Sequence, residues 1–436
     1  MGNTRNLGDL LNADSTIATA DVADGGITTA KLADTAVTTA KITDANITTA
    51  KIASNAITTA KITDANISTA KLADDAVTGA KIENNPTIAG NLTVSGGFVP
   101  STAYSNRNMI TNGDMSVAQR GTSSTGQSSS GIKCVDQFTY LHNGGGTSDI
   151  SQSSTAPNEF KNSLKVECNS TDGSLDAGDF VGIRHHIEAQ NCQRLLFGTS
   201  SAKSITISFH VRSKQTGTYA LNLFLDDDVV HFTKTYTISS ADTFEKKTIT
   251  FPANTSAVVE DDTGKGIEFT WWLRAGSTFT SGSAMTGYEG YSNGDVAVGH
   301  AVDFLDNSAN EFYLTGVQVE IGDVATPFEY ITFADNLRRC QRYYYKPDTE
   351  NNVMGKLQSP AGNLNDHSGY CYFPVTMRAT PTATITAPQI GLGDDMGGII
   401  SSTVDKIGIS FIRTTNDANA GRAGCEVRGE VSAELA

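Results

Sequence analysis

From Ile17 to Ile82 an aliphatic residue returns at every fifth position without a miss: Ile17, Val22, Ile27, Leu32, Val37, Ile42, Ile47, Ile52, Ile57, Ile62, Ile67, Leu72, Val77 and Ile82. Five helical residues rotate about 500° and scatter such side chains around the cylinder, while five strand residues reverse the face. The chain must therefore bend between apolar positions. A fuller repeat of ten, as in TTAKITDANI, sets Lys31, Lys41, Lys51, Lys61, Lys71 and Lys81 directly before an aliphatic residue. Periodicity of this kind marks a rod-building unit.

Two architectures satisfy it. Ala40-Lys41-Ile42 and Ala45-Asn46-Ile47 resemble the pentapeptide-repeat family, which implies a single-chain quadrilateral solenoid. The alternative is a fibrous shaft of three parallel chains that pool Ile42, Ile47, Ile52, Ile57, Ile62 and Ile67 on a common axis. Lys31 with Asp34, Lys41 with Asp44 and Lys61 with Asp64 would then make outer ionic contacts, each worth about 0 to 1 kcal/mol. Residues 1–97 hold no aromatic, cysteine or histidine, and one aliphatic side chain in five is a thin core for one chain. That favours the shaft and a homotrimer. Residues 1–16 read as an attachment segment, residues 17–97 as shaft and collar, with Asn84-Asn85-Pro86 ending the repeat.

The rest of the chain is of a different kind, with every aromatic residue at or beyond Phe98. Ile205, Ile207, Phe209 and Val211 alternate with Thr206, Ser208, His210 and Arg212, the period-two pattern of a half-buried strand. Tyr219, Leu221, Leu223 and Leu225 repeat it, as do Ile267, Phe269, Trp271 and Leu273. Residues 98–335 therefore read as an antiparallel jelly-roll β-sandwich. A short helix follows, with Asp335 as N-cap and Leu337, Cys340 and Tyr344 at helical spacing. Residues 336–436 form a smaller β knob, with strands expected over Gly369–Thr386 and Lys406–Ile412. The fold class is mostly β.

A net charge of −15 opposes binding to nucleic acid or anionic membrane. No apolar run approaches the roughly 20 residues of a membrane span, and the N-terminus lacks a signal-peptide core, so neither membrane insertion nor export is expected. Six scattered cysteines, without Cys-x-x-Cys, predict free buried thiols and no zinc.

Three passages carry a resemblance: NRNMITNGDMSVAQRGTSS from Asn106, Val135-Asp136-Gln137-Phe138, and FYLTGVQVEIGDVATPFEYITFADNLRRCQRYYYK from Phe312. They resemble the receptor-binding part of bacteriophage tail fibres, in the group whose sandwich is similar to carbohydrate-binding modules. FPVTMRATPT, from Phe373, resembles the closing segment of that group, and the decapeptide rod is similar to shafts of marine and cyanobacterial phage fibres. The resemblance implies a homotrimeric virion fibre, assembled in the host cytoplasm, that docks through residues 1–16 on a phage tail or baseplate protein and binds a host-surface polysaccharide. Phe138 stands where many relatives carry tryptophan, a change within core character. Leu314-Thr315-Gly316-Val317 offers no acid for the calcium such modules often hold, although Asp114 and Glu320 are near. Neither a metal nor a cofactor is expected.

Sugar rings are bound by flat aromatic faces with polar groups at their edges. With Ile267, Phe269, Trp271 and Leu273 turned inward, Glu268, Thr270, Trp272 and Arg274 turn outward, and Tyr288 and Tyr291 follow in a glycine-rich loop. Trp272, Arg274, Tyr288 and Tyr291 are the candidate carbohydrate-binding residues; the bland alternative is that Trp272 packs on a neighbouring subunit or a second layer. Catalytic arrangements are poorly supported. His185 and His186 fall on opposite faces of one strand, Asp226-Asp227-Asp228 closes another, and no Gly-x-Ser-x-Gly elbow occurs. Adhesion without enzymatic activity is the expectation. An architectural head fibre or connector, and a depolymerase tailspike, are the alternatives.

Overall fold

The computed structural model describes residues 22–42, 47–53, 56–58, 62, 105–347, 353–357, 366–390, 401–414 and 425–435. The attachment segment, the collar and Ile67 lie outside the described residues. The chain divides into two compact units, Met1–Gly97 and Phe98–Ala436.

In the first unit the five-residue period is a sequence of turns. Thr-Ala-Lys forms a 3₁₀ turn at Thr29–Lys31, Thr39–Lys41 and Thr49–Lys51. Lys31, Lys41 and Lys51 N–H donate to Thr28, Thr38 and Thr48 carbonyls at 2.9 Å. Tight turns alternate with these, Ala36 N–H donating to Ala33 and Ala56 N–H to Ala53, each at 3.0 Å. Lys31 Nζ reaches back to the Gly26 carbonyl at 2.7 Å, and Lys41 Nζ to that of Ala36 at 2.5 Å. Lys31 thus ties adjacent turns instead of pairing with Asp34. Ile42, Ile47, Ile52, Ile57 and Ile62 are 40–58% exposed. Among the described residues, the repeats therefore do not bury their aliphatic side chains as a single-chain solenoid would.

The second unit is an antiparallel β-sandwich followed by two smaller sheets. Its strands are β1 (Ser123–Gln127), β2 (Gly131–Ile132), β3 (Phe138–Asn143), β4 (Thr147–Ser153), β5 (Ser163–Ser170), β6 (Phe180–Glu188), β7 (Ile205–Ser213), β8 (Gly217–Leu225), β9 (Val230–Ile238), β10 (Glu245–Phe251), β11 (Lys265–Ala275), β12 (Glu289–Gly290) and β13 (Glu311–Ile321). One sheet runs β1-β4-β5-β13-β7-β10, the other β12-β9-β8-β11-β6-β3-β2. Alternate residues of both meet in one core, including Ile207, Phe209, Leu314 and Val319 from the first and Leu221, Leu223, Phe269 and Trp271 from the second. Phe209 meets Trp271 edge to face at 5.7 Å, and Phe138 fills the same core. The expected strands around Ile205, Tyr219 and Ile267 stand where the alternation puts them.

His185 points into this core, its Nε2 donating to the Thr111 carbonyl at 3.0 Å and its ring 4.9 Å from Phe138. Burial pushes its pKa down to about 3, and that of His300 down to about 4. In the unfolded chain both take a proton near 6.5. The unfolded state therefore binds more protons between pH 6.5 and those values, so stability present above pH 6.5 is lost as pH falls. We expect His185→Gln to flatten the slope of stability against pH by up to about 1.4 kcal/mol per unit between pH 6 and 4. Urea midpoints across that range check it; parallel curves would refute it.

After the sandwich come α2 (Phe333–Gln341), numbered after α1 (Ser277–Thr280), and the strands β14 (Tyr344–Tyr345), β15 (Val353–Leu357), β16 (Asp366–Tyr372), β17 (Thr382–Ile390), β18 (Ser401–Val404), β19 (Gly408–Thr414) and β20 (Cys425–Ser432). β20 carries β17 on one edge and β14 and β15 on the other, while β16-β19-β18 form the second small sheet. The N-cap of α2 is Thr332, not Asp335: Thr332 Oγ1 accepts the Asp335 N–H at 3.2 Å and donates to Asp335 Oδ2 at 2.7 Å. Asp335 instead orients the cap by accepting the Thr332 hydroxyl. Tyr344 leaves the helix for β14, where its hydroxyl donates to Glu430 at 2.6 Å and Arg120 lies 3.5 Å over its ring. Asp114 and Glu320 are spent on hydrogen bonds, to Ser116 and Asn336 and to Thr326.

Five of the cysteines are buried and free. Among the described residues no helix is long and apolar enough to cross a membrane, and no cluster of three or more His, Cys, Asp or Glu could hold a metal.

Candidate binding groove

The outer face of the seven-stranded sheet carries the candidate site. Register puts Thr139 opposite Arg184, Arg184 opposite Thr270 and Thr270 opposite Asn222, so one row of polar side chains crosses four strands. The next row holds His186, Glu268 and Phe224, and the row on the other side Leu141, Gly182 and Trp272. Because strand residues two apart share a face, the Trp272 and Glu268 rows stand about 13 Å apart.

The floor is a closed polar network. Arg184 Nε lies 2.8 Å from Glu268 Oε1 and donates to Thr270 Oγ1 at 3.1 Å, while His186 Nε2 meets Glu268 Oε2 at 3.1 Å. Asn222 donates to Thr233 Oγ1 at 2.8 Å. Burial pushes the Glu268 carboxyl up, but the His186 hydrogen bond and the Arg184 guanidinium outweigh it and hold it below the ordinary carboxylate range. Lys265 and Asp226, 3.5 Å apart, repeat the balance at one end. Opposite charges cancel along the groove.

The strap from Gly276 to His300 builds the walls. It begins with α1, whose Phe279 packs on Trp272 at 5.5 Å and edge to face on Phe180 at 5.4 Å. It returns through β12 and places the Tyr291 ring 5.4 Å from Phe224 and 5.5 Å from His231, with the Tyr291 hydroxyl donating to Asn293 at 2.9 Å. The open groove has a volume of about 580 Å³ and is lined by Arg184, Asn222, Phe224, Glu268, Trp272 and Tyr291 among others. That volume suits a short oligosaccharide. The Trp272 Nε1 atom is buried without a hydrogen-bond partner.

Of the four residues expected to touch ligand, the structure brings two to this groove. Tyr291 is there and 47% exposed. Trp272 is there but only 6% exposed, because the strap covers an indole that the strand itself turns outward. Arg274 is a correction: a bulge leaves Leu273 as an extra residue between Trp272 and Arg274, and so re-aims the side chain. Its guanidinium is fully buried against Asp172, Asp179 and Asp303 at 2.9, 3.2 and 3.1 Å. Tyr288 is also elsewhere, packed edge to face on Phe232 and Phe197 at 5.6 and 6.1 Å. Asn222 and Phe224 were missed as site residues. Alternation marks both as outward-facing, but only the strand order reveals that β8 lies beside β11.

The aspartates 226–228 serve a loop: Asp227 accepts the Glu260 N–H at 2.9 Å and Asp228 that of Val258 at 2.5 Å.

No family model matches the sequence, and no curated protein matches it. Solved structures with similar folds include the enzymatically active domain of tailspike protein 4 from bacteriophage CBA120, 12% identical, covering 49% of this chain and 21% of that one at a TM-score of 0.28. The family 11 carbohydrate-binding module from Clostridium thermocellum, in complex with a mixed-linked β-1,3-1,4 tetrasaccharide, is 11% identical over 44% of this chain and 91% of that one, at 0.25. TmCBM61, in complex with β-1,4-galactotriose, is 9% identical over 50% and 99%, at 0.26. The chain spans about a fifth of the tailspike's length. Likenesses of this size carry no argument about what the groove holds.

Proposed function

We propose that this protein is a phage virion fibre that binds a host-surface glycan in the groove over the seven-stranded sheet, without cleaving it. The observation that carries the reading is the groove itself: aromatic faces at both ends, hydrogen-bonding groups between them, and no net charge. Such a surface fits a neutral, hydroxyl-rich chain. Glu268, held ionised by its neighbours, has no proton to donate to a leaving glycosidic oxygen. The tail-fibre resemblance of three sequence passages supports the virion setting, and the exposed aliphatic row of the repeats supports assembly with further copies, three in the fibre reading. Each groove then binds weakly, and three together bind well.

The test is titration of the intact chain with purified bacterial surface polysaccharides, followed by tryptophan emission, since Trp272 lies in the groove wall. A binding polysaccharide shifts the emission, and Tyr291→Ala, at an exposed position, weakens binding about tenfold or more with the melting temperature unchanged. No new reducing ends appear. If Tyr291→Ala binds every responsive polysaccharide like wild type, the groove is not the site; release of reducing ends would favour the depolymerase instead.

A further inference from the structure

Two of the sequence passages singled out above meet around a second cavity, on a different part of the sandwich from the groove. Asn106, Asn108, Met109 and Thr111 come from the first, Arg339, Arg342 and Tyr343 from the third, and the 3₁₀ segment Ala189–Leu195 after β6 adds Gln190, Asn191 and Arg194. Its open volume is about 470 Å³, and none of its lining residues is acidic. That is an uncommon composition on a chain of net charge −15.

The three arginines are not equivalent. Arg342 is committed to the structure: its Nε and Nη2 hold both oxygens of the buried Glu188 at 3.0 and 2.6 Å, and Tyr343 donates to the same carboxylate at 3.1 Å. Arg194 and Arg339 have no such partner. Arg194 Nη2 donates to the Asn106 carbonyl at 2.8 Å and Arg339 Nη2 to Asn106 Oδ1 at 3.1 Å. Both guanidiniums are thus oriented by one residue, and among the described residues no carboxylate lies within ion-pair distance of either. A guanidinium carries five N–H donors in a fixed fork suited to a carboxylate or a phosphate. Both forks are oriented by Asn106 and lack a carboxylate partner among the described residues, so each has donors left for an oxyanion.

The geometry points to an oxyanion site at Arg194 and Arg339 that takes a carboxylate or phosphate group borne by a surface polymer. The amides of Gln190 and Asn191 add further hydrogen-bonding groups to the lining. This assignment rests on the glycan-binding reading above, and the site differs in charge from the neutral groove.

The experiment is calorimetric titration of the intact chain with glucuronate and, separately, with inorganic phosphate at low ionic strength. One or both bind, and the stronger identifies the source as an acidic sugar or a phosphate group. The double variant Arg194→Gln/Arg339→Gln lowers that affinity at least tenfold, and Arg339→Lys retains part of it. Asn191→Glu removes no buried partner and adds a negative charge to the lining, so it weakens binding in the same way even if the double variant folds poorly. Tyr291→Ala changes nothing here, which separates failure of this site from failure of the groove. Absence of binding by both anions, or wild-type affinity in both Asn191→Glu and the double variant, overturns the assignment.

Discussion

Arg274→Met is expected to lower the unfolding free energy of the second unit by about 3 to 5 kcal/mol, the cost of breaking a buried ion pair from one side. The arginine is buried, and Asp172, Asp179 and Asp303 all lie within 3.2 Å of its guanidinium, which also donates to the Ser174 carbonyl at 2.6 Å. Methionine keeps the bulk but leaves three carboxylates facing each other. Asp303 already sits above the ordinary carboxylate range, because burial outweighs the pull of Arg274. Without that pull, the folded Asp303 carboxyl holds its proton more tightly still than the unfolded one. The folded state then gains stability as pH falls, so the loss is largest near pH 7 and shrinks toward pH 4. Denaturant melts of both proteins at the two pH values measure it. A loss below 1 kcal/mol, or one that grows in acid, would show that the cluster contributes little.

The second large effect concerns assembly. In the fibre reading, Ile42→Asp with Ile52→Asp places charge in the pooled aliphatic row and dissociates the particle. Light scattering would then fall from three times the 46.0 kDa of one chain toward that single mass. Binding to a polysaccharide-coated surface drops by roughly 10²- to 10⁴-fold as avidity is lost, while affinity for a short soluble fragment stays the same. A wild-type mass of 46.0 kDa would sink the trimer, and a matching loss for the short fragment would place the defect in the groove.

Much of the sandwich was legible because period-two alternation is a local property of one strand. β7, β8 and β11 lie where Ile205, Tyr219 and Ile267 begin their runs, and His185 and His186 split between the faces as the period requires. What stayed hidden depends on neighbours distant in sequence. Outward from a strand is not the same as exposed, as Trp272 under Phe279 demonstrates. A bulge is one extra residue in a regular pattern, and it moved Arg274 from the expected site into a buried charge cluster. Strand order alone sets Asn222 beside Thr270, and no property of either segment predicts that adjacency.

The repeats have one more implication. Each turn is closed by donors and acceptors within a few residues of itself, and Lys31 and Lys41 reach back only five. Excising Ala23–Leu32 joins Val22 to Ala33, and the turn that follows retains both halves of its own hydrogen bonds. Length is therefore adjustable in ten-residue quanta at little conformational expense. In the fibre reading, deletion or duplication of this unit makes the segment a graduated ruler.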